Sequence, residues 1–138
     1  MTSTYQGGCL CGAVRYEYTG KFGPFVYCHC SQCRKAQGAA FGTNAPIEAA
    51  RFKLLSGKDA LKGYESSPGK KRMFCSNCGS PLFSQRDDMP DVLRLRMGTL
   101  ETPIDDRPLA HIFVGSKANW YEIHDKLPQF AEFPPQRG

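Results

Sequence analysis

The sequence predicts a mainly β domain held together by bound metal, with one short helical turn after the central cysteine cluster. Three observations lead there. Short alternating or β-branched runs recur along the chain, separated by Gly, Pro, Ser and Asn. Seven cysteines fall into three tight groups, at 9 and 11, at 28, 30 and 33, and at 75 and 78. No run approaches the ~18 apolar residues needed to cross a bilayer.

The elements follow in chain order. Residues 13–19 alternate, with Val14, Tyr16 and Tyr18 on one face and Arg15, Glu17 and Thr19 on the other. Residues 25–30 are rich in aromatic and β-branched side chains, a strand composition. Ser31 then reads as the N-cap of a helical turn through Gln37, ended by Gly38. Short strands are expected at 41–44, 52–55, 61–65, 71–75 and 82–85. Residues 91–97 alternate again, with Leu93, Leu95 and Met97 together, and 110–114 is an apolar strand. The tail from Asp125 carries Pro128, Pro134 and Pro135, which exclude a long helix. It is expected to lie over the surface, anchored by Phe130 and Phe133.

The chain has 138 residues, 41% hydrophobic and 22% charged, so 1–138 is expected to form one folded domain with its core over about 5–134. The N-terminus lacks a basic start followed by an apolar stretch, which argues against a secretory signal and for the cytoplasm, where thiols stay reduced. The formal charge is +5 with thiols neutral. Seven metal-bound thiolates and two dications would bring it to about +2, so a nucleic-acid partner has little support.

Seven cysteines cannot all pair as disulfides within one chain, and their close spacing suits metal ligation. Cys9 and Cys11 sit at i and i+2, so an extended strand points both sulfurs to one side, and Gly12 lets the chain turn away. Cys75 and Cys78 bracket Ser76 and Asn77 and precede Gly79, a thiolate knuckle. The two pairs together supply the four ligands of a closed tetrahedral zinc site. Cys28, Cys30 and Cys33 remain. They can hold a second zinc with one position open, the mark of a catalytic or ligand-binding site. His29 alternates to the opposite face of its strand, beside Phe25 and Tyr27, which favours packing or support over ligation. A second partition would pair the knuckle with two central cysteines and strand three thiols. The division into four and three uses every thiol.

These residues carry a resemblance. Gly8-Cys9-Leu10-Cys11-Gly12 is followed by Val14 and Tyr16, and then by Cys28-His29-Cys30-Ser31-Gln32-Cys33-Arg34. Tyr64-Glu65-Ser66-Ser67, Arg72-Met73-Phe74-Cys75-Ser76-Asn77-Cys78-Gly79-Ser80 and His111-Ile112-Phe113-Val114 come next, and Trp120 and Asp125-Lys126-Leu127-Pro128 close the pattern. Over about residues 8–134 the chain resembles the glutathione-dependent formaldehyde-activating enzyme family, which also contains centromere protein V. The resemblance implies several short coiled antiparallel sheets, a β-tent. It implies a structural zinc on Cys9, Cys11, Cys75 and Cys78 and a second zinc on Cys28, Cys30 and Cys33. It also implies S-(hydroxymethyl)glutathione synthesis, a carbon–sulfur lyase activity, with a glutathione-like thiol and an aldehyde as partners.

Other residues weigh less. Arg34 and Lys35 follow the open cluster and could grip a substrate carboxylate or simply be solvated. Residues 70–72 read as a solvated strand start, Trp120 as core packing, and His111 as a hydrogen-bonded structural histidine. No His–Asp arrangement near Ser66 or Ser67 supports a nucleophilic serine. Two functions fit: a zinc enzyme whose open position takes a small thiol, and a non-catalytic, zinc-stabilised binding module. An exchangeable ligand on the second zinc separates them.

Overall fold

The computed structural model describes residues 3–134. Ten strands and one α-helix form in the order β1 (Thr4–Gly8), β2 (Arg15–Thr19), β3 (Val26–Cys28), α1 (Ser31–Gln37), β4 (Gly42–Glu48), β5 (Phe52–Ser56), β6 (Leu61–Ser67), β7 (Lys70–Cys75), β8 (Pro81–Arg86), β9 (Met89–Arg96) and β10 (His111–Ile112). β1, β2 and β5 make one antiparallel sheet, with β2 central. The other seven strands make a second sheet in the order β10-β3-β4-β9-β8-β7-β6, antiparallel except for the β10–β3 pair.

The core lies between the two sheets. The alternation running from Val14 into β2 buries Val14, Tyr16 and Tyr18 completely. They cluster with Ala45 and Ile47 of β4, Leu93 and Leu95 of β9, and Leu82 and Phe83 of β8. Strict alternation would put Leu82 and Phe83 on opposite faces. A bulge resolves this: Phe74 pairs with Pro81 and Met73 with Phe83, so Leu82 is an extra residue and both side chains reach the core. The two buried tyrosines keep their hydroxyls bonded, Tyr16 to Thr99 Oγ1 at 2.7 Å and Tyr18 to the Lys21 carbonyl.

Several sequence expectations change in detail. β1 was not anticipated, because Tyr-Gln-Gly-Gly carries no β-branched run. Gly7 earns its place there: a Cβ would meet the Thr99 carbonyl at 2.3 Å and the Tyr16 hydroxyl at 2.4 Å. The N-cap of α1 is Cys30, not Ser31. The Cys30 Sγ accepts from the Cys33 amide at 3.3 Å, and Ser31 is the first helical residue. Gly38 ends the helix in the left-handed region at φ 63°. Arg72 is not solvated but 8% exposed, and Trp120 is not core but 70% exposed.

The tail is held by backbone pairing at Phe130 and by a ring contact at Phe133. Phe130 N donates to the His111 carbonyl and His111 N to the Pro128 carbonyl, both at 2.9 Å. The Phe133 ring meets Phe113 edge-on at 4.7 Å. Pro135 lies outside the described residues.

Candidate metal centre

Two turns bring the first cysteine group together. Gly12, at φ 83°, folds the segment between β1 and β2 so that its amide reaches the Cys9 carbonyl at 3.2 Å. Gly79, at φ 82°, does the same after the knuckle, with its amide on the Cys75 carbonyl at 2.7 Å. Both positions need a residue without a Cβ penalty. Ser80 links the turns, its Oγ accepting from Leu10 N at 2.9 Å. The sulfurs of Cys9, Cys11, Cys75 and Cys78 all lie within 4.8 Å of one another. A tetrahedron with metal–sulfur bonds of about 2.3 Å has edges of about 3.8 Å. Cys9–Cys11 at 3.6 Å and Cys11–Cys75 at 3.8 Å match that spacing, and no disulfide joins any of them. The donor set fits a tetrahedral thiophilic metal.

Neutral donors supply most of the local electrostatics. The Ser80 hydroxyl and amide and the Cys11 amide pull the Cys78 thiol down to about 5. The Ala13 amide favours a Cys11 thiolate, but the neighbouring sulfurs of Cys9, Cys78 and Cys75 outweigh it and push Cys11 up to about 11. Four crowded thiols share their protons unless a cation joins them.

The second group is local. Cys28 ends β3, Cys30 caps α1, and Cys33 points back from the first turn of that helix. Their sulfurs also lie within 4.8 Å of one another. Among the described residues no further Cys, His, Asp or Glu donor joins them. Hydrogen bonds from Cys28 and Cys30 hold the buried Cys33 thiol well below its ordinary value, with help from the charges of Arg72 and Arg96. The same bonding pushes Cys28 well above it.

His29 turns to the other side of its strand and is fully buried. Its Nε2 lies 2.8 Å from His111 Nδ1, and His111 Nε2 lies 2.9 Å from Asp125, whose carboxylate is 43% exposed. A chain of three titratable groups thus runs inward from the surface and ends at His29 Nδ1, which has no hydrogen-bond partner among the described residues. Burial, and then the neighbouring His111, lower His29 to about 4. The rings of Phe41 and Tyr121 pack beside His29 at 5.2 and 6.1 Å. In the sequence His29, His111 and Asp125 stand far apart, in separate motifs. Only the parallel pairing of β10 with β3, which sets His111 opposite Tyr27, joins them.

Arg34 and Lys35 occupy the last turn of α1, where cations suit the helix dipole. Arg34 Nε donates to the Ser116 carbonyl at 3.1 Å, and Lys35 is exposed. The cations buried on the Cys33 side are instead Arg72, which the sequence reads as solvated, and Arg96, which the sequence reading does not single out. Alternation offered a signal: Arg94 and Arg96 fall on the strand face opposite Leu93 and Leu95. Ser66 Oγ accepts from Arg72 Nε at 3.1 Å and serves as its support.

An uncharacterized lyase of Schizosaccharomyces pombe is 29% identical over 79 residues, 57% of this chain and 56% of that protein. The match therefore spans about half the length of that curated relative. A crystal structure of a Rhodobacter sphaeroides protein superposes with a TM-score of 0.60 at 26% identity, covering 72% of this chain and 91% of the other. The family model for the glutathione-dependent formaldehyde-activating enzyme matches residues 4–116, which include all seven cysteines. The chain belongs to the glutathione-dependent formaldehyde-activating enzyme family.

Proposed function

We propose that the protein is a zinc enzyme of the carbon–sulfur lyase type, acting on the adduct of an aldehyde with glutathione or a similar small thiol. In this reading residues 1–138 work as one unit in the cytoplasm. Cys9, Cys11, Cys75 and Cys78 hold a structural zinc, and Cys28, Cys30 and Cys33 hold a second zinc at the reacting site. The observation that carries the reading is the incomplete trio: three sulfurs converge, and no fourth protein donor joins them among the described residues. Family membership and the lyase-named relative support the reaction class.

The chain's own parts have definite tasks. Cys28 approaches from the end of β3, Cys30 from the cap of α1 and Cys33 from its first turn, and the three sulfurs converge. Zinc bound there supplies Lewis acidity, which lowers the pKa of a thiol sharing its coordination. In the reaction, the thiolate sulfur attacks the aldehyde carbon and a carbon–sulfur bond forms. The carbonyl π electrons pass to oxygen, which takes a proton, and the S-(hydroxyalkyl) adduct results. The reverse breaks the carbon–sulfur bond, returning thiol and aldehyde. Holding the two reactants together is the protein's main contribution to rate. Arg34 and Lys35, beside the trio in sequence, are proposed as peripheral contacts for a substrate carboxylate.

Exchange NMR of formaldehyde with glutathione tests this. The zinc-loaded protein should speed exchange between free and adduct forms, and the Cys28→Ser protein should not. Equal exchange with and without wild-type protein would leave the trio as part of a binding module.

A further inference from the structure

One residue, His29, separates Cys28 from Cys30, so the placing of both sulfurs depends on how His29 is held. Its contacts all run to β10 and the turn after it. The His29 amide donates to the Ile112 carbonyl at 2.9 Å. Its carbonyl shares the Ser116 hydroxyl with the Phe113 carbonyl, at 3.3 and 3.1 Å. Its ring Nε2 lies 2.8 Å from His111 Nδ1. The helix that carries Cys33 is tied to the same segment, because Arg34 Nε donates to the Ser116 carbonyl at 3.1 Å. Phe113 turns the chain between β10 and Ser116 at φ 58°. That left-handed conformation is costly for a bulky residue and persists only where the surroundings enforce it.

His111 is held in turn by Asp125. Its Nε2 faces both carboxylate oxygens, at 2.9 and 3.1 Å, and Asp125 Oδ1 also accepts from Leu127 N at 3.0 Å. An ionised carboxylate only accepts, so His111 Nε2 carries a hydrogen. His111 Nδ1 is then the acceptor, and His29 donates to it from Nε2. The opposite order would put the hydrogen on His29 Nδ1, a buried atom with no hydrogen-bond partner among the described residues. A buried N–H without an acceptor is rare in folded proteins. Asp125 therefore sets the orientation and tautomer of both rings. The chain works through backbone placement and not by touching a ligand. A cavity of about 320 Å³ lies beside the trio, with Phe41 and Gly42 in its lining, and a Cβ on Gly42 would lie 3.4 Å from Cys33 Cβ. Phe41 packs on the His29 ring, and that ring is fully buried.

We propose that Asp125 is a positioning residue for the trio: acting through His111, it fixes the His29 ring and with it the one-residue bridge that sets Cys28 and Cys30 at ligand spacing. This role rests on the reading of the trio as the reacting metal centre, but it concerns where the sulfurs stand and not which substrate they meet. It joins a half-exposed carboxylate in the tail to a cysteine group almost a hundred residues earlier in the chain.

Chelator competition on the zinc-loaded protein tests it, with the group of four as the internal reference. Asp125→Ala should weaken zinc at the trio about tenfold, the lower end of what an outer support is worth because two rings intervene, and leave the group of four unchanged. Asp125→Asn keeps an oxygen acceptor and should restore most of the loss. Phe133→Ala loosens the tail at Phe113 without touching the histidine chain, so it should lower the melting temperature but not the trio's affinity. Cobalt at the trio should show altered ligand-field bands in Asp125→Ala and not in Phe133→Ala. Equal losses at both centres in Asp125→Ala, or the same trio loss in Phe133→Ala, would make Asp125 an anchor for the tail and overturn the proposal. Long-range proton–nitrogen spectra of the zinc-loaded wild type should show both rings protonated on Nε2. His111 protonated on Nδ1 alone would overturn it, whether or not Asp125→Ala folds. If wild type holds metal only at the group of four, the trio is no metal centre and the Cys28 and Cys30 resonances decide: displacement in Asp125→Ala supports the positioning role, and invariance overturns it. A trio affinity that falls as expected, in a wild type that does not speed formaldehyde exchange, would support the positioning role and defeat the lyase reading.

Discussion

The two cysteine groups use the same ligand atom in opposite settings. The group of four joins segments more than sixty residues apart, fastening the turn after β1 to the knuckle after β7. Its surroundings are amides and the Ser80 hydroxyl, with Cys11 exposed. The group of three spans six residues and sits between a histidine chain on one side and buried arginines on the other. A long-range site surrounded by neutral donors suits a staple. A local site under strong fields, next to a cavity, suits chemistry. The difference teaches that ligand count alone does not assign a role; loop length, charge and access do.

The largest expected effect comes from breaking the staple. Cys75→Ser removes a fully buried thiol from the long-range group. Structural zinc sites in small domains are worth about 10–16 kcal/mol of apparent binding, so losing one ligand should forfeit several kcal/mol and leave the chain largely unfolded. Cys30→Ser disturbs a local loop and the cap of α1, and it should melt well above Cys75→Ser. Thermal melts of both variants decide the comparison, and the reverse order would exchange the two roles.

Metal content sharpens the same contrast. Wild-type protein purified without added metal should carry two zinc ions per chain by elemental analysis. Cys30→Ser should retain one. A wild-type value near one, with all seven thiols reduced, would mean that only the staple is occupied.

A smaller effect should appear in pH. His29 titrates near 4 in the folded chain and near 6.5 when unfolded. Between those values the unfolded chain binds the extra proton, so this group favours folding above about 6.5 and loses that contribution as pH falls toward 4. The His29 ring resonances should therefore keep their neutral-imidazole shifts at pH 5.5. A midpoint near 6.5 would show that His29 is not buried beside His111.

Much of this molecule was legible in the sequence because its strongest constraints are local. The period-two pattern of Val14, Tyr16 and Tyr18 marks a buried strand face, and i, i+2 and i, i+3 cysteines mark sulfurs that converge. The illegible parts depend on register. Nothing between residues 29 and 111 announces that those two histidines touch, because a parallel pairing of two short strands creates the contact. Arg72 reads as surface because Lys70 and Lys71 precede it, yet β7 lies inside the large sheet and α1 covers its inner side. Trp120 reads as core because large aromatics usually are, and the turn that carries it projects outward.

The claim that the trio keeps an exchangeable position is tested most directly by cobalt substitution. Cobalt takes the place of zinc and reports thiolate ligation by absorption. Glutathione added to the cobalt-loaded protein should raise the sulfur-to-metal charge-transfer band and change the ligand-field bands. The change should vanish in Cys28→Ser and persist in Lys35→Ala, whose ammonium lies in solvent. A spectrum indifferent to about millimolar glutathione, the upper end of ordinary KM values, would contradict the account and leave both clusters as staples.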